Sequence, residues 1–325
     1  MSAPRTASHL TSFARFLARR EQRERADAAT LKDLSRTVLA LPHGLDLEWL
    51  GTAGYRLTYE GHTLLIDPYL TRIPLRAVLS RAPALPDPLA HEQFLGPDLG
   101  TVAGILIGHT HFDHAIDVPA LARSLRTNAY GSDSLMRLMR AHGLQERAVE
   151  VQPRRSYEIG PFVVRFVPSL HSKLLLGYKV PYDGALSCEH LDRLSPSAYR
   201  CGIVYAIHIT VAGATFYHQG SANLIDDQVP NDGVDVFLAG IAGRSFTENY
   251  WQRILKRLQP AVVLANHFDD FFRPLSSPLG FTTNVNLTAL PAEIQAVSRD
   301  ITVAALEPMH AASEGLAADR GMASD

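Results

Sequence analysis

His109-Thr110-His111-Phe112-Asp113-His114 packs four ligand-type side chains into six positions. Imidazole and carboxylate groups are the usual protein ligands of zinc and its first-row neighbours. Residues i and i+2 of extended backbone project to the same side, so His109 and His111 can grip one ion together. Asp113 and His114 come after a turn and can face a second ion. The alternative, a polar loop whose histidines cap local backbone, is outweighed by the density of the cluster. Immediately upstream, residues 102–107 form an apolar run that fits a buried strand ending at Gly108.

Outward from this loop, short β-prone runs occupy 45–50, 55–59 and 63–66, punctuated by Gly51, Gly54 and Glu60-Gly61. Residues 71–98 carry five prolines and little periodicity, which predicts an excursion beside the site with one helical turn. Residues 118–125 and 132–142 read as helices. A hairpin is expected at 157–159 and 162–167 around Gly160-Pro161, and a loop at 180–200. Strands follow at 202–210 and 215–217, split by Ala212-Gly213, then at 234–238. A helix at 246–258 leads to a strand at 261–265, a helix at 291–298 and a strand at 301–305. The order is mostly β first, twice over. Periodicity supports α/β or α+β. Three segments are expected: a helical arm over 1–44, one domain over 45–310 and a frayed tail from Ala311 to the end.

The arm reads as helix over 8–39. Leu10, Phe13, Phe16 and Leu17 share a face, and the charged run Arg19–Arg25 follows; 30–41 looks similar. Packing on the domain is expected, with membrane-surface attachment or a partner helix as alternatives. The N-terminal MSAPRTASHL lacks an apolar signal core, and no apolar run approaches the roughly 20 residues of a membrane helix. The cytoplasm is the default expectation.

Composition narrows the chemistry. Lys and Arg number 31 against 33 Asp and Glu, so no broad nucleic-acid surface is expected. Two cysteines, Cys188 and Cys201, exclude a disulfide framework and a Cys-rich zinc module. Any metal must be held by histidine and carboxylate, and 14 histidines leave room for that.

From about residue 45 to about 306 the chain resembles the metallo-β-lactamase superfamily, whose pattern is H-x-H-x-D-H. The resemblance implies a four-layer αββα sandwich. Leu64-Leu65-Ile66-Asp67-Pro68 looks like the family's early strand, making Asp67 a structural carboxylate near the metal loop. Gly51-Thr52-Ala53-Gly54 followed by that strand is most similar to the branch containing ascorbate-phosphate lactonase and N-acyl-phosphatidylethanolamine phospholipase D. His171, in Val167-Pro168-Ser169-Leu170-His171, stands where the third histidine of site one is expected. His267, in Ala265-Asn266-His267-Phe268, stands where the last histidine of site two is expected. One set is then His109, His111 and His171, and the other Asp113, His114 and His267.

The pattern breaks at Phe216-Tyr217-His218-Gln219-Gly220-Ser221-Ala222-Asn223. Ser221 stands where the family has an Asp bridging two ions. Three readings stay open: a weaker second ion, a replacement carboxylate from Asp226 or Asp227, or Ser221 and Asn223 bonding the metal water or the substrate.

The resemblance implies a hydrolase in which a metal-bound hydroxide attacks a small ester, lactone or phosphodiester. Asp113 and His114 would act in catalysis, on one well-held zinc (manganese or ferrous iron being possible) and an uncertain second ion. The alternatives are a lipid phosphodiesterase at a membrane and a regulatory member with a degraded second site. No G-x-S-x-G elbow suggests serine chemistry. Arg244, Lys173 and Tyr178 are candidate substrate contacts, each weighed against an ordinary solvated or packed side chain. His208 reads as a sheet histidine and His218 is ambiguous. His62, His91 and His310 read as surface residues.

Overall fold

A computed structural model describes residues 19–309, apart from 81, 97, 98, 175–177, 189 and 284, together with the backbone of 311 and 312. The first sheet contains β1 (Leu45–Gly51), β2 (Gly54–Tyr59), β3 (His62–Ile66), β4 (Thr101–Leu106), β5 (Ala129–Gly131), β6 (Ala148–Glu150) and, at its edge beside β1, β14 (Ala311–Ala312). The second contains β7 (Ser156–Ile159), β8 (Phe162–Pro168), β9 (Tyr205–Val211), β10 (Ala214–Gln219), β11 (Val236–Gly240), β12 (Val262–Asn266) and β13 (Thr302–Ala305). Each sheet starts antiparallel and turns parallel, at β3–β4 in the first and β10–β11 in the second. The chain thus lays down two similar half-sandwiches in succession.

Side-chain alternation explains the layers. Leu64, Ile66 and Leu106 join Phe162, Phe166, Ile207 and Phe216 between the sheets. Leu65, Ile105 and Ile107 face the other way and pack with Ile116, Leu121, Leu135 and Leu138. A strand buried on both faces must read as an unbroken apolar run, as 102–107 does. The helices on that outer face are α4 (Phe112–Ala115), α5 (Val118–Ser124) and α6 (Asp133–Ala141); two shorter-range elements, α2 (Leu75–Ser80) and α3 (Pro88–Leu95), precede them in the chain. α7 (Tyr250–Leu258) and α8 (Leu290–Gln295) cover the second sheet. The result is a mixed α+β sandwich of four layers.

Several expectations shift. The 71–98 excursion holds two helices rather than one turn. Asp87 caps α3 by accepting from the Leu89 amide at 3.0 Å, with Pro88 in the first turn. The arm helix α1 (Arg20–Leu34) stops before the expected 39, because β-branched Thr37 and Val38 and then Pro42 follow. Asp27 on α1 accepts from the amide and hydroxyl of Thr288 at 2.8 and 2.7 Å, and Leu31 and Leu34 enter the main core. The described part of the arm therefore packs on the domain; its Leu10–Leu17 face lies outside the described residues. Ala311 and Ala312, expected to fray, pair with Glu48 and Leu47. Strands β5 and β6, three residues each, were too short to leave a periodic signal. Among the described residues no helix is long and apolar enough to cross a membrane.

Candidate metal centre

β4 delivers the loop and Gly108 anchors it. The Gly108 amide donates to Asp67 Oδ1 at 2.7 Å, and the Thr110 amide to the Cys201 carbonyl at 3.0 Å. The single turn of α4 then brings Asp113 and His114 beside His109, whose ring centroid lies 3.9 Å from that of His114. His171 arrives from the end of β8 and His267 from the end of β12. His267 sits in left-handed backbone, φ 58°, with its amide donating to Thr52 O at 2.7 Å. Such a conformation costs a non-glycine residue on the order of 1–3 kcal/mol, so the surrounding bonds must enforce it.

Two buried triads result: His109, His111 and His171, and Asp113, His114 and His267. Within each, one candidate ligand atom per residue lies within 4.8 Å of the others. Each triad takes two members from the loop after β4 and one from the second sheet. His109 Nε2 and His111 Nδ1 approach to 3.0 Å. His111 Nε2 donates to the Pro181 carbonyl and His171 Nδ1 to the Ser172 carbonyl, each at 2.8 Å. Those bonds fix the tautomers and leave His111 Nδ1 and His171 Nε2 as lone-pair donors. In the second triad Asp113 Oδ2 lies 3.4 Å from His267 Nε2 and 3.9 Å from His114 Nε2.

The electrostatics suit a cation. Burial pushes the His111 imidazole down to about 4 and that of His171 to about 3, and holds His109 well below its usual value. All three are unprotonated at neutral pH. Burial opposes charge on Asp113, but His114 and His267 outweigh it and hold the carboxyl well below its usual range. For His114, burial is outweighed by Asp67 and Asp113, and its basicity rises. A first-row divalent ion fits either donor set: three imidazole nitrogens, or two with a carboxylate.

A family model described as a beta-lactamase superfamily domain matches residues 46–267. The chain belongs to the metallo-β-lactamase superfamily. A UPF0173 metal-dependent hydrolase of Carboxydothermus hydrogenoformans is 25% identical over 230 residues, 69% of this chain and 85% of the relative. One from Roseobacter denitrificans is 33% identical over 129 residues, 39% of this chain and 49% of the relative. The match to the latter spans about half of that relative's length. Among solved structures, the metallo hydrolase Igni18 of Ignicoccus hospitalis superposes with a TM-score of 0.52 at 16% identity, covering 82% of this chain and 97% of Igni18. CmlA, a diiron β-hydroxylase of Streptomyces venezuelae, gives 0.55 at 15% identity over 83% of this chain and 54% of CmlA. At that identity the likeness is one of fold.

Within this superfamily domain, Ser221 does not stand free. Its hydroxyl accepts from the Ser172 amide at 3.0 Å and meets the Ser172 hydroxyl at 3.2 Å. Asn223 Nδ2 donates to the His171 carbonyl at 3.2 Å. Both residues hold the His171 loop from behind. The carboxylate replacement fails for Asp226, which is exposed and ion-paired with Arg253 at 2.5 Å; Asp227 is exposed beside it. Gly220 is required where it stands: a Cβ there would lie 2.9 Å from His114 Cε1 and 3.0 Å from Asp67 Oδ2.

Arg244 is neither a substrate contact nor a solvated side chain. It is buried, paired with Glu293 through two nitrogens at 2.7 and 3.1 Å, and it donates to the Val285 and Asn286 carbonyls. No donor edge is left for a ligand. Lys173 and Tyr178 are exposed on the segment after His171, on either side of residues outside the description. His91 is not a surface residue: it is buried with Nε2 2.7 Å from Asp117 Oδ1. His62 is half-buried, His208 is buried in β9, and His310 lies outside the described residues.

Three residues escaped the sequence reading. Asp117, fully buried, accepts from the Leu70 and Thr71 amides, the Thr71 hydroxyl and His91. Its signal in the sequence was its place just before Val118-Pro119, at the start of the second helix after the loop. Arg72 and Asp269 form a buried pair at 2.8 Å, and Asp269 also accepts from the Thr52 amide at 2.9 Å, two residues from His267. A Cβ on Gly51 would lie 1.9 Å from Arg72 Nη2, which accounts for that glycine.

Proposed function

We propose that this protein is a metal-dependent hydrolase acting on a small ester, lactone or phosphodiester. The observation that carries the reading is the convergence of two buried triads, the first with imidazoles held unprotonated by burial and with His111 and His171 fixed in tautomer by backbone carbonyls. The metal-dependent hydrolases among its relatives support it. A divalent ion bound there supplies a water of lowered pKa and an electrophile for the substrate oxygen. Asp113, the one carboxylate of the six, would serve as the proton carrier towards the leaving group. Burial of the triads excludes competing solvent. Zinc suits the donors best, with manganese or ferrous iron as alternatives.

The two triads should hold ions unequally. Two divalent ions would face one ligand carboxylate, and like charges a few Å apart in a poorly solvated site repel by several kcal/mol. The three-histidine triad is then the tight site and the second is exchangeable. We place the protein in the cytoplasm, a setting supported by its two free thiols, Cys188 and Cys201.

The test is metal content per chain, then a turnover screen of lactones, esters and phosphodiesters. His109→Ala should lose both the tight metal and turnover; unchanged turnover in that variant overturns the assignment. A second reading, a lipid phosphodiesterase, is favoured by the exposed leucines 75, 79, 85 and 89 on the excursion holding α2 and α3. Recruitment to anionic vesicles, lost in Leu79→Asp, would support it, and failure of the wild type to bind them would remove it.

A further inference from the structure

We propose that His218 is a positioning residue for the second triad, acting through Asp67 on His114. This rests on the metal reading above. Asp67 is fully buried, at the end of β3, in left-handed backbone at φ 41°. Its Oδ1 accepts from the Gly108 amide. Its Oδ2 lies 3.0 Å from His114 Nδ1 and also 3.0 Å from His218 Nε2. One carboxylate oxygen is therefore shared between a histidine of the triad and a second histidine contributed by β10, from the opposite sheet.

The direction of the bonds follows from chemistry. A carboxylate that already accepts from the Gly108 amide accepts from His218 as well, so His218 Nε2 carries the proton of that bond, while His114 Nδ1 faces the same oxygen at 3.0 Å as an ion-pair contact outside hydrogen-bond geometry. A proton at His114 Nδ1 leaves its Nε2 lone pair for the triad, where Asp113 Oδ2 lies 3.9 Å away. A carboxylate behind a ligating imidazole orients the ring and raises its basicity, and loss of such a partner typically costs 10–100-fold in metal affinity. His218 performs the same service one step further back. With it, Oδ2 is fixed by donors from both sheets; without it, Oδ2 can swing off the His114 ring.

His218 is suited to this task and engaged in no other polar one. It is fully buried, and its Nδ1 has no hydrogen-bond partner among the described residues. The ring packs edge-on against Tyr55 with centroids 5.9 Å apart. Phenylalanine would keep that packing and remove the single donor. Glutamine would keep a donor near the position of Nε2.

The other triad is an internal control. His111 and His171 take their orienting bonds from backbone carbonyls rather than from Asp67. Zinc titration calorimetry on the metal-free full-length chain would compare wild type, His218→Phe and His218→Gln. His267→Ala and His171→Ala identify which binding event belongs to which triad. His218→Phe should weaken the event lost in His267→Ala by about 10–100-fold, leave the event lost in His171→Ala within about twofold, and be largely rescued in His218→Gln. Equal weakening of both events, or of neither, overturns the proposal. A second measurement needs neither metal nor variant: nitrogen NMR of the histidine-labelled wild type should show His218 protonated at Nε2, and an unprotonated Nε2 overturns it. The two readings fail separately, since a chain that binds no zinc removes the hydrolase reading, whereas the His218 tautomer is read in metal-free protein.

Discussion

At the scale of single residues, Ser221 sets how unequal the two triads are. Its hydroxyl is committed to Ser172 and brings no charge. Ser221→Asp should tighten the weaker zinc event by about tenfold or more, since a carboxylate a few Å from the ion is worth several kcal/mol even at an effective dielectric of about 20. Calorimetry on the metal-free variant measures this. Unchanged stoichiometry and affinity would count against that position as the source of the asymmetry. The histidines of the loop were legible in the sequence because they are contiguous and follow an apolar strand. His171 and His267 were legible only through family resemblance, for nothing local separates them from ordinary loop histidines. Arg244 was misread because a sequence does not show burial: its partners, Glu293 and the 285–286 carbonyls, lie more than 40 residues away. His218 was ambiguous for the same reason, its partner Asp67 being 151 residues upstream.

At the scale of elements, the metal loop depends on a joint that is not itself a ligand. Asp117 opens α5 and gathers the Leu70 and Thr71 amides and His91 of α3 around one buried carboxylate. This locks α3 and the stretch after Asp67 to the helix following His114. Asp117→Ala would leave several buried donors unpaired, and breaking a buried charged contact typically costs about 3–5 kcal/mol. Chemical denaturation should show a loss of that order. A variant within about 0.5 kcal/mol of wild type would mean that the joint carries no strain. The core strands and longer helices were readable from periodicity, mostly to within a few residues. What was lost is physical in origin: β5 and β6 are too short to alternate, α3 owes its helicity to the Asp87 cap, and α2 has only the partly buried Ala77 and Val78 against the core rather than an apolar stripe.

For the whole molecule, the triads make stability depend on pH before any metal is added. Burial lowers the imidazoles of His111 and His171 from 6.5 to about 4 and about 3 in the fold, with His109 shifted the same way. Below about pH 6.5 the unfolded chain therefore binds protons that the folded chain refuses. The stability these groups contribute is full above that pH and falls as pH drops towards the folded values. The slope is about 1.4 kcal/mol per pH unit for each imidazole. His114 runs the other way: its raised basicity adds stability at low pH that is lost as pH climbs, so three depressed groups oppose one. Metal-free protein should thus lose urea resistance between about pH 6.5 and about pH 5, and His171→Gln should flatten the slope. A level profile across that window would show that the imidazoles are not held unprotonated by burial.

The division of each triad, two ligands from the first half-sandwich and one from the second, has a mechanical consequence. An ion in either triad is a clasp across the seam between the halves, closing a loop of roughly 60 residues at His171 and of more than 150 at His267. Neither half holds a full set of three, so metal grips only a chain whose halves are already docked. By mass action, free metal at about 100 times its dissociation constant would add about 2.7 kcal/mol to folding. A chelator would therefore remove part of the structural hardware along with the chemistry. Thermal midpoints that climb with the logarithm of free zinc, and protease cuts that appear between the halves once zinc is withdrawn, are the signature of a clasp.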